Sequence, residues 1–207
     1  MKDIKLTTFL SQMNPHFVFN TLNAIQYFIT SNEKISALNY LSTFSKLFRY
    51  HLQNAEKEKI NLPEEIEMLH LYLKLQKLRY GNRFDYKLDL LNKKKEAVIP
   101  TSILPTLIEN IVEYSIYKDE KDCFIAVLFE VHKKTVKIKV TFTYAGNASA
   151  QRNYSPDYRN KILDWQAHIE KLNQLNHYNI QKEIIMNTDP DGHFKGGSVA
   201  LILPNLM

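Results

Sequence analysis

Apolar residues recur at steps of three and four between residues 4 and 30, from Leu6 and Leu10 through Met13 and Phe17 to Leu22, Ile25 and Ile29, which is the stripe of an amphipathic helix. Pro15 interrupts it, and a proline removes one helical hydrogen bond and crowds the carbonyl four residues back, so a kink is expected beside His16. Ser31 and Asn32 break the pattern and offer an N-cap to a second helix from about 33 to 54. There Leu38, Leu41, Ser45, Phe48 and Leu52 keep heptad-like spacing, while Tyr40, Phe44 and Leu47 widen the apolar face beyond what one partner helix covers. These two helices predict a hairpin that packs again, into a four-helix dimer.

After a polar connection at 56–59, Asn61 and Glu64 have capping-box spacing for a third helix through Tyr80, which Gly81 ends. The period then changes to two: Phe84, Tyr86, Leu88 and Leu90 alternate with polar residues, as in a half-buried strand. A helix over 101–117 follows Pro100, then strands near 123–131 and 135–144 around the His132–Lys134 turn. Residues 145–156 form the loosest segment, 157–176 a further helix carrying Trp165, and strands near 179–187 and 198–203 close the chain around a turn at 189–197. Strands in a row with helices to one side predict a two-layer α+β sandwich after the hairpin. The domains are accordingly placed at 1–58 and 59–207.

Composition narrows the functions. The 207 residues are 44% hydrophobic and 24% charged, ordinary globular usage that excludes a disordered chain. The lone Cys123 permits neither an internal disulfide nor a thiolate-rich zinc site, which favours a cytoplasmic compartment. No apolar run approaches the roughly 18 residues that span a bilayer and the N-terminus lacks a signal-peptide layout, so a soluble chain is expected. A net charge of +5 is too mild for a nucleic-acid-binding signature, and the lysines near 133–139 alternate as a solvated strand face does, so no nucleic-acid partner is expected. Five glycines exclude a dinucleotide turn; Gly192 and Gly197 have P-loop spacing, but Ser198 stands where the phosphate-reaching lysine should be, and the segment reads as a turn. The seven histidines form no H-E-x-x-H pair.

One histidine has an unusual setting. Pro15 loosens the helix beside His16, and Asn20 lies one turn on, where its amide can accept from one ring nitrogen and leave the other free as a nucleophile. Read by itself, His16 is better explained as a partly exposed helix residue without a role.

The longer pattern adds to this. Residues 12–23, QMNPHFVFNTLN, resemble the phosphoacceptor segment of the LytS-type sensor histidine kinases. Leu38 to Tyr50 resembles that family's second helix; Leu62 to Gly81, with Glu64, Glu65 and Arg79, is similar to its next one; Ile99 to Asn110 resembles the I-P…L-x-x-L-V-E-N box that opens its GHKL-type ATP-binding domain. The matches are collinear over roughly the first 115 residues. The resemblance implies that His16 accepts a phosphoryl group, oriented by Asn20, and passes it to an aspartate of a response regulator. It further implies that Asn110, with Glu109 beside it, holds Mg²⁺ against ATP, since phosphoryl transfer runs on positioning and charge neutralisation. A homodimer, a cytoplasmic location and an upstream membrane sensor outside this chain are implied in the same way.

Beyond Asn110 the chain departs from the family pattern. Glu113 stands at a lysine position, which puts a carboxylate where phosphates would lie. No acidic residue occurs in Thr141 to Asn147, where the family has D-x-G-x-G, and residues 148–158 contain no glycine with which to build a phosphate lid. A signalling core with impaired ATP binding, a pseudokinase relay or scaffold, is therefore expected, with a fully active protein-histidine kinase as the alternative and nucleic-acid binding, resting only on the basic balance, as a weak third.

Overall fold

The computed structural model describes residues 15–92, 96–117, 122–145, 158–188, 190 and 194–207. The expected stretch of helix before Pro15, the kink there and the loose segment at 146–156 lie outside them. Helices α1 (Pro15–Thr30) and α2 (Lys34–Asn54) form the hairpin. Asn32 adopts the left-handed region at φ 61°, which a short polar side chain tolerates, and the chain turns there instead of at an Asn cap. Glu33 is the N-cap; its side chain caps no backbone N–H and instead accepts a hydrogen bond from Ser36 Oγ at 3.0 Å. Strand β1 (Lys59–Asn61) leads into helix α3 (Leu62–Tyr80), where Asn61 Nδ2 donates to Glu64 Oε1 at 3.4 Å. Gly81, at φ 59°, opens a 3₁₀ turn at Gly81–Arg83 after the helix.

The chain divides into two compact units: residues 1–58 with 65–81, and residues 59–64 with 82–207. The first is helical. Phe17, Thr21, Ala24 and Phe28 of α1 are buried, as are Ala37, Tyr40, Thr43 and Leu47 of α2, each set spaced by three and four. Phe17 stacks its ring 6.2 Å from Phe44 and 5.4 Å from Tyr72 of α3, so the residue next to His16 is anchored to both other helices. The heptad-like positions Leu38, Leu41 and Leu52 lie on the outer face, exposed, as do Phe19, Leu22 and Ile29 of α1.

The second unit contains strands β2 (Phe84–Leu90), β3 (Val98–Pro100), β4 (Asp122–Val131), β5 (Thr135–Ala145), β6 (Gln181–Thr188) and β7 (Phe194–Pro204), with helices α4 (Leu104–Tyr117) and α5 (Tyr158–Asn176). Five strands make one sheet in the order β2-β4-β5-β7-β6, with β2 parallel to β4 and the other pairs antiparallel. Period-2 patterning places Ile125, Val127 and Phe129 opposite Phe142, Val140 and Ile138, and all six are buried. Lys137 and Lys139 point to the other, exposed face, and Trp165 and Cys123 are buried. This is the expected α+β class: helices first, then a helix-bearing five-stranded sheet.

Two details correct the expectation. β1 and β3 pair antiparallel as a separate two-stranded sheet, where the sequence predicts only connections, because three-residue strands are too short to display a period. Gly196 and Gly197 lie within β7 and not in a turn. A Cβ on Gly196 would stand 2.2 Å from the Phe142 carbonyl oxygen and one on Gly197 2.4 Å from that of Ile185, so these glycines are needed for β7 to lie close between its neighbours.

Candidate functional site

Two sets of residues carry the candidate chemistry, one in each unit. In the helical unit, His16 is the second residue of α1 and Asn20 follows four residues later in the same helix, the spacing that puts two positions on one face. Asn20 is half-buried. Glu65, in α3, is fully buried, and neither carboxyl oxygen has a hydrogen-bond partner among the described residues. Burial pushes its carboxyl up to about 8. The position follows from the helix period: Leu62, Glu65, Leu69, Leu73 and Gln76 recur at three and four, and all are buried.

In the sheet unit, Glu109 and Asn110 lie on α4 beside Glu113. Asn110 is 6% exposed, and its Nδ2 donates to the backbone oxygen of Lys161 in α5 at 3.4 Å. The Lys161 ammonium pairs with Glu113 Oε2, and the Glu113 side chain is only 17% exposed. One turn along α5, Trp165 Nε1 donates to the Ile103 carbonyl at 2.8 Å. Burial pushes the Glu109 carboxyl up to about 7; Glu113 adds to the rise and Lys161 opposes it. The predicted pair Glu109 and Asn110 thus share a face with a salt bridge whose cation comes from another helix. Lys161 was not legible as a site residue, since its partner is 48 positions away; the one signal was the sign of Glu113.

Among the described residues no three metal-ligating side chains of the His, Cys, Asp and Glu types gather, and no helix is long and apolar enough to cross a membrane.

A histidine kinase family model matches residues 4–84. The chain is 29% identical over 140 residues to the sensor protein LytS of Staphylococcus epidermidis, covering 68% of this chain and 24% of that protein. It is 28% identical over 132 residues to the sensor histidine kinase/phosphatase LytS of Staphylococcus aureus, covering 63% and 22%. The chain therefore spans about a quarter of the length of the curated relatives it matches. Among solved structures, the catalytic domain of histidine kinase ThkA is similar at a TM-score of 0.45 and 13% identity, over 71% of this chain and 94% of that one, a likeness too distant to bear on the site.

Proposed function

We propose that this chain, which a histidine kinase family model matches over residues 4–84 and which is similar to LytS sensor proteins, is the cytoplasmic signalling core of a two-component sensor kinase whose ATP site has fallen silent. Residues 1–58 are its dimerising and phosphoacceptor region and 59–207 a degenerate ATP-binding domain. In this reading it works as a homodimeric relay or scaffold, exchanging phosphoryl groups with a response regulator at His16, with Asn20 orienting the ring. Any membrane attachment comes from a sensor region outside this sequence.

The observation that carries the silent reading is the Glu113–Lys161 pair beside Asn110. In the family pattern Asn110 holds Mg²⁺ against ATP, with Glu109 beside it. Here the Asn110 amide is buried against the backbone of α5, and the next turn of α4 presents a carboxylate already matched by a lysine. A triphosphate approaching that face meets Glu113, and on the order of several kcal/mol separates a carboxylate from a lysine at that position at an effective dielectric of about 20. The residues present fit a contact within the chain better than they fit a metal nucleotide. Magnesium is ordinarily held jointly by substrate phosphates and protein oxygens, so losing the phosphate contacts also removes the metal's reason to bind. The sequence adds that no acidic residue follows Thr141 up to Asn147 and no glycine lies in 148–158.

Calorimetric titration of the whole chain with ATP, with and without Mg²⁺, tests this. Dissociation constants weaker than millimolar are expected. Low-micromolar binding, or transfer of label from ATP to His16 by the pure protein, restores the working-kinase alternative.

A further inference from the structure

Helix α4 already meets a cation. Glu109 and Glu113 are one turn apart, the spacing that sets two side chains on one helix face, and the Lys161 ammonium from α5 pairs with Glu113 and acts electrostatically on Glu109. We propose that Lys161 is a tethered counter-ion that takes the place of a divalent metal on this face of α4 and ties α5 to it. The inference rests on the reading of a silent ATP site and names what silences it.

The case begins with how firmly Lys161 is placed. Its backbone oxygen accepts from Asn110 and its side chain reaches Glu113, so one residue is held at both ends by α4. Trp165, on the same helix one turn later, is buried and bonded to Ile103 at the entrance to α4, which fixes the approach of α5 independently of the ion pair. A cation delivered by a pinned helix has already lost most of its translational freedom, so it competes with free ions at a high effective concentration.

Charge accounts for the rest. Glu109, Glu113 and Asn110 offer carboxylate and amide oxygens, a hard donor set suited to Mg²⁺ or Mn²⁺. With Lys161 in place, its ammonium offsets the Glu113 carboxylate on that face, and its backbone oxygen occupies the Asn110 amide. The Glu113 carboxylate is then already matched and draws a divalent ion out of water less strongly. Without Lys161 the ammonium now paired with Glu113 is gone, and a hard cation is the natural replacement for it.

The test uses the full chain and Mn²⁺ alone, read by water-proton relaxation with no nucleotide present. The parent chain is expected to bind no Mn²⁺ at this face below millimolar concentration. Lys161→Met should gain at least about tenfold in Mn²⁺ affinity, and Lys161→Met with Glu113→Gln should lose that gain. A Lys161→Met chain that titrates like the parent, or a gain that survives Glu113→Gln, overturns the proposal. Should Lys161→Met fail to fold, the charge swap Glu113→Lys with Lys161→Glu decides: it should melt within a few degrees of the parent while each single change melts lower. A swap that melts as low as the worse single variant overturns it equally. Because nucleotide is absent, tight ATP binding by the parent in calorimetry would sink the silent reading without touching this result.

Discussion

Glu65 is the residue whose chemistry is least expected from its surroundings. A carboxyl with no hydrogen-bond partner among the described residues, between the buried leucines of its helix face, is held neutral over much of the pH range, and burial raises it from 4.5 to about 8. The sign of its effect follows. Below pH 4.5 the acid is protonated in both the folded and the unfolded chain and costs nothing extra. As pH rises from there toward about 8, the unfolded chain releases its proton while the folded one retains it, so stability falls through that window. Glu109 acts in the same direction between 4.5 and about 7. Glu65→Gln should therefore melt progressively higher relative to the parent as pH is raised from 5 to 8. The gain should reach the order of a few kcal/mol, since each tenfold difference in proton affinity between the folded and unfolded chain is worth about 1.4 kcal/mol. A difference that stays flat over that range would show that the carboxyl is not neutral in the fold. In the sequence Glu65 figures only in the family resemblance; its burial, at the three-and-four spacing of Leu62, Leu69 and Leu73, and its lack of a partner among the described residues come from the fold, because partners come from tertiary neighbours.

At the scale of elements, the long periodic segments were the readable ones. β4 and β5 alternate cleanly because one face is buried and the other carries Lys137 and Lys139, and α1 through α5 follow their apolar spacing. What escaped was whatever depends on a neighbour remote in sequence: the β1–β3 pair, and the glycines of β7. Gly196, at φ 141°, presses against the Phe142 carbonyl oxygen and the Thr143 Cα, where a Cβ would approach to 2.2 and 2.9 Å. Backbone cannot move aside as a flexible side chain can, and φ there is unfavourable for any other residue. Gly196→Ala should cost about 3 kcal/mol or more, which for a chain of this size lowers the melting temperature by roughly 6–12 °C. An unchanged melting curve would mean that β7 does not run as close to β5 as described. The hairpin makes the opposite kind of prediction. Ile35 and Leu38 are 77% and 66% exposed, so changing both to Glu should leave the protomer's helicity intact. If the heptad face of α2 covers a second copy, the same change should drop the mass seen by light scattering from twice the chain's 24.3 kDa to that value. A parent chain already monomeric at micromolar concentration would refute the dimer.

For the molecule as a whole, the segment that resembles the family's phosphoacceptor and the proposed nucleotide face differ from the family pattern to different degrees. Residues 12–23 keep the full N-P-H-F-x-F-N pattern, and Phe17 is packed against two other helices, so the start of α1 is held by its neighbours whatever happens at α4. The second unit keeps its sheet and both helices, yet replaces a lysine of the pattern by Glu113 and matches that acid with Lys161. A chain under no constraint to phosphorylate itself, but still required to carry a phosphoryl group, would diverge in this way. On the proposed reading of a silent ATP site, His16 should be labelled only from outside. Incubation with a phosphorylated response regulator should move label onto the chain: a ring nitrogen attacks phosphorus, the N–P bond forms as the acyl phosphate P–O bond breaks, and the aspartate leaves as a carboxylate. The label should be acid-labile and stable to base, as phosphohistidine is, and His16→Ala should abolish it. Asn20→Ala should slow transfer by about 10- to 100-fold, since an unoriented ring loses the benefit of its fixed tautomer. Label that persists in His16→Ala, or that appears on another of the seven histidines, would place the acceptor elsewhere and leave α1 as a dimer helix alone.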